Sequence, residues 1–462
     1  MSMEKQICGD CVSDDYLKII ISQSTKAATA CEYCEKVKPT IDMWALTEMV
    51  NDVIANFYES TNSDENYIWD SEPEGDSLDD VLHQIVGLPD QAVEDLTELL
   101  SEMWFDRDTF DHQYGEDPHF VEKTRFEQPL SEAWRRMEQS LKHEARFVNP
   151  TVHEVLENVF GPVLDDRTYD DKPVIVEVGP GCEIDHLYRA RVFQTEKAMV
   201  AALSHPQRHI GPPPEGEGAA GRMNAKGVSV FYGATDKKIA LNEVRPPVGS
   251  RAVMGNFRIT RKLRLLDVKQ LGIVVVPPGK SLFAPSTANQ IIRSDFLGTL
   301  TDRIVMPVMP ELEDQSYLIT QAIADFLATH PRLNLDGIIF PSAQHVLTLQ
   351  KIPGRNVILF NKASRVLDAD AKYADRTKVN LWDIDEDGAR FDPEIWTEVE
   401  ETPKLSRYLH LLIPEWKVTA LELDLKDLEI FDIKSVAYNS VSHGVKHTVQ
   451  SKKESKVSRR EV

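Results

Sequence analysis

The apolar residues of this chain change their period near residue 173, and that change constrains the fold more than any single motif. Before it, "MWALTEMVNDVIANFY", "VEDLTELLSEMWF" and "LSEAWRRMEQSLKHEARF" repeat apolar residues at i, i+3 and i+4 with polar faces between, the spacing of amphipathic helices. After it, short apolar runs stand between Pro/Gly loops: "PVIVEV", "GVSVFYG", "LRLLDV", "GIVVVPP", "DGIIFP" and "NVILF", then "ALELDL" and "LEIFDIKSVAY". Helices first and strands afterwards predict an α+β protein with a mixed β-sheet. At 462 residues the chain exceeds one hydrophobic core and divides into roughly two to four domains.

Cys8 and Cys11 form one CxxC pair and Cys31 and Cys34 a second, with 19 residues between them. Four thiolates in two tight turns close a tetrahedron around zinc, and a site with all its ligands from protein is structural rather than catalytic. Cys182 stands apart. Residues 41–120 hold 22 Asp and Glu against one base, Arg107, in a chain of net charge −23. A surface of that sign repels phosphate backbones, so nucleic acid is not the expected ligand there. No run approaches the ~18 apolar residues of a membrane span, and "MSMEKQICGDC" lacks a signal-peptide pattern. A cytoplasmic protein with no membrane partner is expected. Its parts are a zinc-binding module over 1–40, an acidic helical module over 41–165, a strand-rich domain over 166–445 and a disordered basic tail over 446–462. The linker "STNSDENYIWDSEPEGDS" lies between the first two helices.

Two glycine motifs fail on inspection. In "VIVEVGPGCEI" the third glycine of a dinucleotide fingerprint falls on Ile184, and "DHLYRARVF" continues as a strand rather than a helix. In "PPGKSLFAPS" the first glycine of a P-loop falls on Val274. Arg136 and His143, seven residues apart, share a helix face, and such a pair can serve phosphate binding and acid–base chemistry in an RNase; a solvated polar face is the plainer reading.

The stretch "AAGRMNAKGVSVFYGATDKKIALNEV" raises a sharper question. A helix from Asp236 puts Ile239, Ala240, Glu243 and Val244 on one stripe, and a carboxylate on such a stripe loses hydration unless it is paired or used. Around it stand Arg189 and Arg191 in "HLYRARV", two apart and on one face if extended. Arg222 and Asn224 lie between Gly221 and Gly227, Tyr232 ends "VSVFY", and Ser342 follows the run "DGIIFP".

In order and spacing, "LYRARV", "AAGRMNAKGVSVFYGATDKKIALNEV" and "DGIIFPSAQ…GRNVILF" resemble the RES domain, a family named for its Arg, Glu and Ser. The segment with "ICGDC…CEYC" and a helix ending "LKHEARFV" is similar to the HEPN-like module that accompanies some RES domains. The resemblance implies an ADP-ribosyltransferase-like fold and a toxin or defence effector. Its reaction would cleave the nicotinamide–ribose bond of NAD+ by hydrolysis or phosphorolysis, with inorganic phosphate the co-substrate in the second case. It implies catalytic roles for Glu243, Arg222, Tyr232 and Ser342, and substrate-binding roles for Arg189, Arg191 and Asn224, with Arg189 the preferred arginine of its pair. It also implies restraint by an antitoxin or by the N-terminal module, and leaves a homo-oligomer open. The alternatives are a HEPN-type RNase or nucleic-acid binder and an inactive NAD+ sensor. "GRMN" departs from the family's glycine-doubled "GGRW", and "RHIGPPPEGEG" is an insertion placed to act as a lid.

Overall fold

The computed structural model describes residues 5–24, 28–61, 74–115, 117–123, 130–146, 148–277, 280–305, 313–342, 354–367, 377–386, 388–397, 418–436 and 443–444. Most of the expected linker and the basic tail lie outside the described residues. The N-terminal part contains helices α1 (Asp15–Ser22), α2 (Met43–Phe57), α3 (Leu78–Ile85) and α4 (Asp90–Trp104). The first three start at polar caps: Asp14 accepts from the Leu17 N–H, Asp42 from Trp44 and Ser77 from Asp80, each satisfying a donor the helix leaves open. Their apolar stripes meet in one core that includes Leu17, Leu46, Ile54, Leu82, Leu96 and Phe120. Asp79, Asp80, Glu94 and Glu98 stay in solvent.

The next two helices, α5 (Leu130–His143) and α6 (Pro150–Phe160), turn their buried faces elsewhere. Trp134, Met137, Leu141, Val155, Leu156 and Phe160 pack with Leu266, Phe296, Leu297, Phe326 and Ile338 of the strand-rich part. After them come α7 (Glu196–Ser204), α8 (Lys237–Glu243), α9 (Pro285–Val305) and α10 (Glu313–Thr329).

The strand-rich part is organised by a sheet of eight strands. They are β1 (Ile175–Val178), β2 (His186–Phe193), β3 (Phe231–Ala234), β4 (Arg251–Ile259), β5 (Leu263–Asp267), β6 (Gly337–Pro341), β7 (Arg355–Leu359) and β8 (Leu421–Asp432). Their spatial order is β1-β5-β6-β7-β3-β2-β4-β8. Only β5 and β6 run parallel, which makes the sheet mixed. Side chains alternate between its faces. Ile338, Phe340 and Ile358 turn to one core with α5, α6, α9 and α10, while Ile339, Val357, Leu359 and Phe231 turn to the other with Met199 and Leu203 of α7.

Two details differ from the strand pattern of the sequence. "GIVVVPP" forms no strand over its described residues; Val274 makes a single bridge to Thr168. Its apolar side chains do not all enter a core, since Ile273 and Val275 are exposed, and that removes the reason for a sheet position. A hairpin, Thr377–Asp385 with Gly388–Thr397, appears where no strand was expected; Trp382 and Phe391 pack on the second core and stack on Arg251.

Candidate active site

The loop before β3 is held tightly. The Tyr232 hydroxyl donates to Asn224 Oδ1 at 2.8 Å and accepts from the Met223 N–H at 3.1 Å. Asn224, itself buried, donates to the carbonyls of Ala219, Ala225 and Val228, which closes the loop on itself. A Cβ on Gly221 would fall 2.7 Å from both the Tyr232 hydroxyl and Asn224 Oδ1, so glycine is required here for space. Burial pushes the Tyr232 phenol up to about 12. Arg222 reaches in another direction: its Nη1 donates to the Ile304 carbonyl at 3.1 Å, at the end of α9. Gln321 and Thr320 of α10 donate to the carbonyls of Gly221 and Arg222.

Glu243 is the last residue of the seven-residue α8, which Asp236 caps and whose Ile239 and Ala240 pack on Ala190, Ala234 and Met254. Val244 packs on the same cluster, so Glu243 lies at the edge of the core-facing stripe rather than within it. The helix ends there, and Glu243 is exposed rather than dehydrated. Its Oε1 accepts from Ser342 Oγ at 3.2 Å and from Asn356 Nδ2 at 2.7 Å. Ser342 follows β6 and Asn356 sits in β7, and both are buried. Alternation puts Asn356 on the same face as Ile358, the partner of Tyr232, so the Tyr232 and Glu243 clusters share one face of the sheet.

The structure does not bring Arg189 and Arg191 to that face. Leu187, Arg189 and Arg191 alternate onto the side of Phe231, Val253 and Phe257, and the Arg189 guanidinium lies 5.1 Å from the Phe231 ring centre. Tyr188 and Ala190 take the α8 side instead. Arg189 donates to the Tyr232 carbonyl at 3.1 Å and Arg191 to that of Gly211 at 3.4 Å. Burial, with Arg191 adding its like charge, brings the Arg189 guanidinium down to about 9. The sequence shows the two arginines sharing a face, but which face depends on the pairing of β2 with β3 and β4.

Asn356 went unnoticed in the sequence. Its signal was a polar residue inside the otherwise apolar run "NVILF", at a position where strands of a buried sheet carry Val or Ile.

The four N-terminal cysteines converge. Their Sγ atoms all lie within 4.8 Å of one another, with Cys8–Cys34 at 3.5 Å and Cys11–Cys31 at 3.8 Å. Zn–S bonds of about 2.3 Å in a tetrahedron put sulfurs about 3.8 Å apart, so the set is compatible with structural zinc. Burial opposes ionisation of Cys31, but backbone N–H groups of Tyr33, Cys8 and Cys34 outweigh it and bring the thiol down to about 7. Arg136 and His143 both line a groove of about 700 Å³ between α5 and α6, together with Thr151, Glu154 and Asn158. Among the described residues no helix is long and apolar enough to cross a membrane.

Residues 186–383 match the family of the RES domain, and residues 24–154 match HEPN/RES N-terminal domain 1. No curated protein and no solved structure matches the chain. The RES match takes in β2, β3, α8, β6 and β7, the elements that carry Tyr232, Glu243, Ser342 and Asn356. The N-terminal match takes in Cys31, Cys34 and the acidic helices. With a large mixed sheet behind an N-terminal cysteine cluster, the chain carries a RES domain, ADP-ribosyltransferase-like in fold, over residues 186–383 and a HEPN/RES N-terminal domain over residues 24–154.

Proposed function

We propose that the protein consumes NAD+ by breaking the bond between nicotinamide and ribose, with Glu243 as the carboxylate at the reacting carbon. RES-domain membership supports an NAD+-related, toxin-type function in general. The observation that carries the finer reading is Glu243 held by Ser342 and Asn356 on the same sheet face as the Tyr232–Asn224 cluster.

As the C–N bond breaks, its electron pair moves to the pyridinium nitrogen and neutralises it, and positive charge grows on the ribose. A fixed carboxylate beside the ribose stabilises that oxocarbenium-like state more than the ground state. Water then attacks the same carbon and loses a proton, giving ADP-ribose, nicotinamide and H+. With inorganic phosphate as the nucleophile the product is ADP-ribose-1″-phosphate. Tyr232, kept as the neutral phenol, packs on the ribose or nicotinamide. Ser342 orients the carboxylate, and Asn224 shapes the loop that presents Arg222. The Arg222 guanidinium, a planar fork suited to phosphate, grips the pyrophosphate. Arg189 and Arg191 are left out of this set because they turn to the other face. RES toxins generally pair with antitoxins, so a restraining protein partner is part of the proposal.

Purified protein incubated with NAD+, with and without phosphate, tests this by ³¹P NMR. ADP-ribose in both samples means hydrolysis, and ADP-ribose-1″-phosphate only with phosphate means phosphorolysis. NAD+ left intact by the full chain in both samples would refute the proposal.

A further inference from the structure

We infer that Asn356 is the positioning residue for Glu243, fixing its carboxylate in one orientation with Oε1 tied to the sheet and Oε2 left for the ligand. Its kinetic consequence rests on the NAD+ reading above; the structural claim does not.

Glu243 has little hold of its own. It is the last residue of a short helix, it is exposed, and Arg245 two residues on already takes a left-handed φ of 43° as the chain turns away. A long side chain in that place samples many rotamers unless something outside the helix restrains it. Two donors converge on a single oxygen, Oε1, and Asn356 supplies the shorter bond, 2.7 Å against 3.2 Å from Ser342. No hydrogen bond among the described residues reaches Oε2 from a side chain or backbone.

The anchor is rigid. Asn356 lies within β7 between two paired neighbours, opposite Ala234 of β3 on one side and Phe340 of β6 on the other. Only 6% of it is exposed. Its amide cannot turn over, because that would set Oδ1 against the carboxylate oxygen. The cost of this arrangement is visible: Asn356 Oδ1 is buried and accepts no hydrogen bond. An unsatisfied acceptor in the middle of a sheet weakens the fold, and an apolar side chain of similar size would remove the penalty. The amide is therefore poor packing, and its donor to Glu243 is the one contact that accounts for it.

Asn356→Leu separates positioning from packing. Losing a hydrogen bond to a charged group lowers kcat about 10- to 100-fold, while KM for NAD+ stays within about threefold, since the ligand is not touched. The unfolding midpoint stays equal or rises, because the orphaned Oδ1 is gone. Crystal structures of both proteins without ligand then show Glu243 in one orientation in the wild type and in several in the variant. A kcat within about twofold of wild type, or a loss of activity matched by a loss of folded protein, overturns the inference. If the wild type leaves NAD+ intact, the enzymatic reading fails, and the crystal structures decide for Asn356 alone. A single, unchanged Glu243 orientation in the variant then refutes its role, and a spread of orientations supports it.

Discussion

Asp166 and Arg293 form a buried ion pair whose loss should be costly and whose joint replacement should not be. Arg293 Nη1 and Nη2 donate to the two oxygens of Asp166 at 2.8 and 2.6 Å, and Nε donates to the Val159 carbonyl at 2.7 Å. The two side chains are only 8% and 9% exposed. The pair ties the middle of α9 to the segment that follows α6. Asp166→Ala strands a guanidinium in that interior, which costs about 3–5 kcal/mol, against about 0–1 kcal/mol for an exposed pair. Replacing both partners, as in Asp166→Ala with Arg293→Met, removes the stranded charge and returns most of that loss. Urea unfolding followed by circular dichroism measures both, and the cost of the single variant should persist in 1 M salt because a buried pair is poorly screened. Because the Ile304 carbonyl at the far end of α9 accepts from Arg222, the single variant should also lower NAD+ turnover. An Asp166→Ala cost below about 1 kcal/mol, or a double variant less stable than the single one, would refute the reasoning.

Four further outcomes follow from the same structure. Glu243→Gln keeps the shape but removes the charge, so NAD+ loss should fall by about 10²–10³-fold with an unchanged circular dichroism spectrum; near wild-type turnover sinks the assignment. Gly221→Ala drives a methyl into the Tyr232 hydroxyl and Asn224, and should lower activity with Tyr232→Phe as its milder counterpart, measured in one NAD+ assay. Tyr232 has its phenol raised to about 12, so its contribution to stability is present below the ordinary tyrosine range near 10 and is lost as pH rises through 12. Tyrosinate absorbance at pH 10.5 should accordingly be the same in wild type and Tyr232→Phe. Metal analysis should find about one zinc per chain, and Cys31→Ser should lose it and loosen the N-terminal core, which proteolysis would detect.

Much of this was legible in the sequence because it depends on local spacing. Two CxxC pairs bring ligands together through tight turns whatever the rest of the chain does, and the four sulfurs do converge. Helix periods located α2, α4 and α5, and the i, i+3/i+4 spacing read from Asp236 located α8, whose first turn Asp236 caps in the structure. The order of "LYRARV", "GRMN…VFYG…LNEV" and "DGIIFPS" pointed to the RES family before any contact was known.

What the sequence could not determine is which side of a layer each residue takes and which segments share a core. The helices α5 and α6 look continuous with the acidic helices, yet they pack with the sheet, because burial depends on the partner surface and not on chain neighbours. The period of a strand shows that Arg189 and Arg191 share a face; only the register with β3 and β4 shows that the face is opposite Glu243. In the same way Asn356, 113 residues from Glu243, becomes its nearest donor only when β7 pairs with β3. Local chemistry is written in the sequence, since propensity and spacing act over a few residues; the meeting of Glu243 with Ser342 and Asn356 is made by long-range strand pairing, which the tertiary structure alone decides.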